Sequence, residues 1–158
     1  MAFTLRSASF EHDGAIPAKH TCQGDDTAPP LAWAGAPAGT RSFALIVDDP
    51  DAPDPRAPRT VWVHWVLYNL PAATAALPEG AKPADLPPEA LEGVNDFGTT
   101  GYRGPCPPIG RHRYFCKVYA LDTVLADLHK PKKADLEKAM RGHVLAEAQL
   151  VGTYEKRK

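Results

Sequence analysis

Residues 48–70 read DDPDAPDPRAPRTVWVHWVLYNL, and how this stretch folds decides the rest. It opens on Asp48, Asp49 and Asp51, passes through Pro50, Pro53, Pro55 and Pro58, and closes on a run at 60–68 that carries His64. Valine and aromatic side chains dominate that run, which suits a pleated, packed surface. Alternation predicts Val61, Val63, Trp65 and Leu67 on one face and Trp62, His64, Val66 and Tyr68 on the other. Both faces are largely apolar, so a strand buried on both sides is expected. His64 then lies where water cannot easily solvate it, with carboxylates just upstream across a stiff loop. Half of a ligand pocket is the expected result.

Outward from this stretch, extended segments recur. Residues 3–10, 16–22, 31–33 and 42–47 are expected as strands, the last (SFALIV) feeding straight into the acidic cluster. Downstream, residues 71–92 turn to alanine, proline and charge, and Pro78, Pro83, Pro87 and Pro88 break any long helix. A surface connection with a single helical turn is expected there. A second loop, 94–110, carries Gly98, Gly101, Gly104 and Gly110 with Pro105, Pro107 and Pro108. It leads into a strand at 111–121, RHRYFCKVYAL, with His112, Tyr114, Cys116, Val118 and Ala120 on one face. Leu136, Ala139 and Met140 mark a helix at 133–141, with Gly142 as its natural stop. A last strand is expected at 147–154. Separated strands, rich turns and one late helix predict a mostly β sandwich, one domain over residues 1–158.

Composition narrows the function. The 158 residues are 44% hydrophobic with a formal net charge of −1, which fits a packed domain and disfavours nucleic acid as partner. The first residues carry Arg6, Glu11 and Asp13 without an apolar run, so no signal peptide is expected. No segment has the length of a membrane span, and a cytoplasmic location is expected. Cys22, Cys106 and Cys116 are odd in number and lack CxxC spacing, and are expected as reduced thiols.

Two loop-plus-strand units carry the chemistry. One joins Asp49 and Asp51 to His64, and the other joins a glycine-proline loop to His112 and Tyr114. Taken singly, each histidine is more often a core residue, and each aspartate can serve simply as a turn former. Taken together, two imidazoles, a phenol and glycine-loop amides suit an oxyanion, or a zwitterion with phosphate at one end and an amine at the other. No GxSxG elbow is present, and the histidines lack the local pairing of a zinc site. No catalytic residue, metal or cofactor is assigned.

These residues resemble the phosphatidylethanolamine-binding protein family, in the bacterial branch called Raf-kinase-inhibitor-like. The first motif is DPDAP at 49–53 with VHW at 63–65 and YNLP at 68–71, and the second is GYRGPCPPIGRHRYFCKVYALD at 101–122. TCQGDDTAPPLAW at 21–33, NDFG at 95–98 and GHVLAEAQLVGTY at 142–154 add branch features. The resemblance implies an antiparallel Greek-key β-sandwich with a small anion pocket for phosphate, acetate or phosphorylethanolamine-like groups. It implies pocket roles for Asp49, Asp51, Trp62, His64, Gly104, Pro105, His112 and Tyr114, and marks Ala52–Pro53 as the candidate cis peptide. It also implies a homodimer. The expected function is ligand binding without turnover. The alternatives are a regulator of an unknown protein partner, kinase- or protease-inhibitor-like, and a hydrolase with a histidine general base.

Overall fold

Two sheets account for nearly all the strand-forming sequence in the computed structural model, which describes residues 2–157. The smaller sheet has the order β1-β3-β6, from Thr4–Arg6 (β1), Leu31–Ala34 (β3) and Ala76–Leu77 (β6). The larger has the order β2-β9-β8-β4-β5-β7. Its members are Gly14–Ala15 (β2), Ser42–Ala52 (β4), Thr60–Pro71 (β5), Leu91–Glu92 (β7), Arg111–Leu121 (β8) and Val144–Glu155 (β9). All pairings are antiparallel except β2 with β9. The mostly β architecture expected from the sequence is the one observed.

Both faces of the large sheet are covered, for different reasons. Between the sheets, Leu5, Leu31 and Trp33 from the small one meet Phe43, Leu45, Trp65, Leu67, Val118 and Leu150 from the large one. On the far face, Ala44, Ile46, Val66 and Tyr68 pack under Leu136 and Met140 of helix α1, Lys133–Met140. Leu136 is fully buried, so truncating it to alanine costs about 2–5 kcal/mol. Among the described residues, no helix is long and apolar enough to cross a membrane.

Several expectations need correction. The strand expected at 3–10 shortens to β1, because the small sheet offers it only the three partners Ala32, Trp33 and Ala34. Residues 16–22 form no strand; Ala18–His20 is a 3-10 turn following Pro17. The acidic cluster is not a loop: Asp48, Asp49 and Asp51 belong to β4. Cys22 and Cys106 are bridged, with Cα atoms 5.4 Å apart, and Cys116 alone keeps a free, buried thiol. Their sequence separation of 84 hid a pairing that the fold brings together.

The alternation expected along β5 also breaks, and the break places the site. Val47 pairs with Trp65, but Asp48 pairs with Val63, so His64 is an extra residue on β5. Such a bulge turns successive side chains to the same side. Val63 and Val66 accordingly join the core under α1, while Trp65 and Leu67 join the core between the sheets. His64 leaves the Val66–Tyr68 face and meets Tyr114 of β8, ring centroids 5.3 Å apart.

Candidate functional site

Three adjacent strands, β5, β4 and β8, bring the predicted residues to one end of the large sheet. Asp49 of β4 pairs with Trp62 of β5, and two residues beyond Trp62 stands His64. Strict alternation along β8 keeps His112 and Tyr114 on the same face, their rings stacked with centroids 6.3 Å apart. Tyr114 therefore packs beside both histidine rings. A cavity of about 250 Å³ opens beside them. It falls below the roughly 300–1,000 Å³ of drug-sized ligand sites, so its occupant would be small.

Of the expected site residues, Asp49, Trp62, His64, His112 and Tyr114 line this cavity. Asp51, Gly104 and Pro105 stand behind the wall. Asp51 is taken up by Arg113, which donates from its backbone N (2.8 Å), Nε (3.0 Å) and a terminal guanidinium N (2.9 Å). That contact holds the Asp51 carboxyl below the usual carboxylate range. Gly104 packs so tightly on the His20 carbonyl that an added Cβ would lie 2.0 Å from its oxygen, and its N–H donates to Asp26. The Pro105 carbonyl accepts from the Cys22 N–H.

Sequence reasoning missed the rest of the wall: Ala52, Pro53, Phe97, Cys106, Pro107 and Pro108. The Ala52–Pro53 peptide is cis. Phe97 stands edge-on to Trp62, with centroids 5.6 Å apart, and carries the Arg103 guanidinium on its face at 4.8 Å. The signal for these residues was the DPDAP, NDFG and GPCPP motifs themselves, already singled out.

Hydrogen bonding fixes what each histidine can do. His112 Nδ1 lies 2.6 Å from Asp49 Oδ2, while Nε2 faces the carbonyls of Ile109 (2.8 Å) and Pro53 (3.1 Å). Carbonyls only accept, so Nε2 carries a proton whichever partner holds the one shared between Nδ1 and Asp49. Burial raises the Asp49 pKa, partly offset by the bond from His112. His64 is tied at one nitrogen only: Nδ1 donates to the Arg103 carbonyl at 2.6 Å. Desolvation dominates its titration and lowers its pKa to about 4, against the raising effects of the Arg103 carbonyl, Asp48 and Asp96. His64 Nε2 and the Tyr114 hydroxyl are buried without a partner.

The same geometry limits covalent chemistry. Cys106 is bridged, and burial pushes the Cys116 thiol up to about 12, in the core between the sheets. Among the described residues, no three His, Cys, Asp or Glu side chains are grouped to hold a metal ion.

Comparisons with known proteins bear on the family and the fold. The family model described as phosphatidylethanolamine-binding protein matches residues 6–155. A UPF0098 protein of Methanothermobacter thermautotrophicus is 48% identical over 153 residues, covering 96% of this chain and 98% of the relative. The crystal structure of a phosphatidylethanolamine-binding protein homolog from Chlamydia trachomatis superposes with a TM-score of 0.90 at 42% identity, covering 99% of both chains. Escherichia coli YbcL, described as a member of the mammalian family, superposes at 0.89 with 34% identity, covering 99% of this chain and 100% of its own.

Proposed function

The chain belongs to the phosphatidylethanolamine-binding protein family, and from that premise we propose that it binds a small phosphate- or carboxylate-bearing ligand without turning it over. The supporting observation is the pair of buried atoms without partners, His64 Nε2 and Tyr114 Oη, on residues that line the cavity. A buried polar group left unsatisfied costs about 1–3 kcal/mol. A ligand that meets both atoms recovers that cost, which makes the cavity a receptor rather than a packing defect. Phe97, Trp62 and the prolines supply an apolar collar around the polar floor.

Turnover by a histidine base fits this site poorly. A general base works best with a pKa near the operating pH. His64, at about 4, lies well below it, and both nitrogens of His112 are engaged by the protein. The cytoplasmic location expected from the N-terminal residues and from the lack of a membrane-length segment meets a contrary observation in the Cys22–Cys106 bridge, because disulfides persist mainly in oxidising compartments.

Titration with inorganic phosphate and with phosphorylethanolamine, followed by NMR of the histidine rings, tests the reading. His64 resonances should shift saturably and His64→Ala should abolish binding. Unmoved histidine resonances at millimolar ligand would overturn it.

A further inference from the structure

The donors that an anion pocket ordinarily uses are scarce around this cavity. Among the described residues, no lysine or arginine lines it. The nearby guanidiniums are engaged elsewhere, Arg103 over Phe97 and near Asp26, and Arg113 on Asp51. The glycine-proline loop offers little backbone N–H either. Pro53, Pro107 and Pro108 of the wall have none, which leaves Cys106 as the one residue of the 105–108 run that keeps an N–H. This departs from the amide-rich wall expected of a glycine loop.

The side chains sharpen the point. A neutral imidazole has one N–H, and His64 spends it on the Arg103 carbonyl. Its Nε2 therefore presents a lone pair. The His112 Nε2–H is spent on the Ile109 and Pro53 carbonyls. Tyr114 can give one hydrogen, and the Asp49 carboxyl on the wall gives none beyond the proton it shares with His112. A fully ionised oxyanion would meet the His64 lone pair, one phenol, the Asp49–His112 pair and the single N–H of Cys106, with no lysine or arginine beside it.

Building on the binding reading above, we infer that the cavity selects oxyacids that bring or acquire a proton, with one ligand oxygen sharing that proton with His64 Nε2. Monoprotonated phosphate monoesters are the favoured class near neutrality, and carboxylic acids join them only toward their own pKa of about 4. Sulfate and phosphodiesters, which carry no proton near neutrality, are disfavoured. In the bound state the proton lies between the ligand oxygen and Nε2, and Tyr114 donates to a second oxygen.

The groups facing His64 define its response to pH. Asp49 comes from β4, Asp96 and Arg103 from the 94–110 loop, and His112 and Tyr114 from β8, while Asp48 acts from the opposite face of β4. Asp48 and Asp96 favour a charged ring and His112 opposes it, but burial outweighs them all. A ligand without its own proton must therefore wait for acid. A phosphate monoester, with a second pKa of about 6, supplies the proton itself.

Calorimetric titration of the wild-type protein with phosphorylethanolamine and with sulfate tests this, between about pH 5 and about pH 8.5, in two buffers of different ionisation enthalpy. Affinity for phosphorylethanolamine should fall about tenfold per pH unit above the second phosphate pKa, with net proton uptake on binding. Sulfate should bind at least about tenfold more weakly at pH 7.5 and gain about tenfold per unit as the pH falls toward 5. His64→Gln, whose amide offers a neutral donor, should bring the two ligands within about threefold of each other. Equal affinities in wild type at pH 7.5, or binding without proton uptake, would overturn the inference while leaving the binding reading intact. Absence of binding by both ligands across the range overturns both.

Discussion

Asp49 and His112, 63 residues apart, are joined by a 2.6 Å hydrogen bond that is almost wholly buried, and it ties β4 to β8 at the floor of the cavity. The other Asp49 oxygen accepts the Asp51 N–H at 2.7 Å, so this one carboxyl holds both the histidine and the turn of its own strand. Because burial raises its pKa, an amide should imitate its protonated form well. In the Asp49→Asn variant the amide oxygen accepts from the Asp51 N–H and the amide nitrogen donates to His112 Nδ1. Asp49→Asn is expected to cost no more than about 1 kcal/mol, whereas Asp49→Ala strands a buried ring nitrogen and costs about 3 kcal/mol. Urea denaturation at neutral pH separates the two; equal losses would mean that the pair must be ionic.

His64 gives stability a definite pH dependence. Its folded pKa, about 4, lies below the unfolded value of about 6.5, so the unfolded chain binds more protons between them. The contribution is fully present above about 6.5 and is lost as the pH falls toward about 4, by about 3 kcal/mol in all. His20, also buried and shifted downward, adds in the same direction. His64→Gln should flatten this acid limb without abolishing it. Parallel stability curves for wild type and variant from about pH 4 to about pH 7 would contradict the assignment.

The Cys22–Cys106 bridge fastens the 106–108 wall of the cavity to the segment after the Ala18–His20 turn. It closes a loop of sequence separation 84, and a native bridge of this kind is worth about 2–4 kcal/mol. Cys22→Ser combined with Cys106→Ser is expected to lose that much under oxidising conditions and to match the reduced wild type. Phosphate affinity should fall too, because Pro107 and Pro108 lose an anchor. A variant with unchanged midpoint and affinity would show that the wall is held by the Cys22 N–H to Pro105 carbonyl bond and its neighbours alone.

What the sequence disclosed and what it withheld divide along a physical line. The face of β8 was legible because nothing interrupts its period of two over His112–Val118. The face of β5 was not, since the bulge at His64 arises from its register against β4, a non-local fact. Motif and resemblance brought Asp49, Trp62, His64, His112 and Tyr114 to the cavity, yet grouped Asp51 with Asp49. The arginine that removes Asp51 from the wall lies 62 residues away. Free thiols were the natural reading of three unpaired spacings, and only folded loops bring Cys22 to Cys106. Phe97 lay in a motif whose backbone turn was visible but whose side-chain direction was not.

Asp48 closes the other face of the same strand. It is 1% exposed, and its Oδ2 accepts from Lys133 Nζ at 2.7 Å and Lys117 Nζ at 3.3 Å. Lys133 opens α1, so the carboxylate pins the helix to the sheet behind the cavity. Either lysine can be lost while the other still compensates the buried charge. Lys117→Met and Lys133→Met, which keep the aliphatic stem, should therefore cost about 1 kcal/mol each, but together leave the carboxylate uncompensated and cost about 3–5 kcal/mol. Lost packing would add simply across the two sites and would be indifferent to Asp48. Uncompensated charge would not: Asp48→Asn placed in the double variant should restore at least about 1 kcal/mol. Additive losses with no rescue, measured by urea denaturation, would assign the cost to lost packing of the two lysine stems and remove the ion triad from the account of how α1 is held.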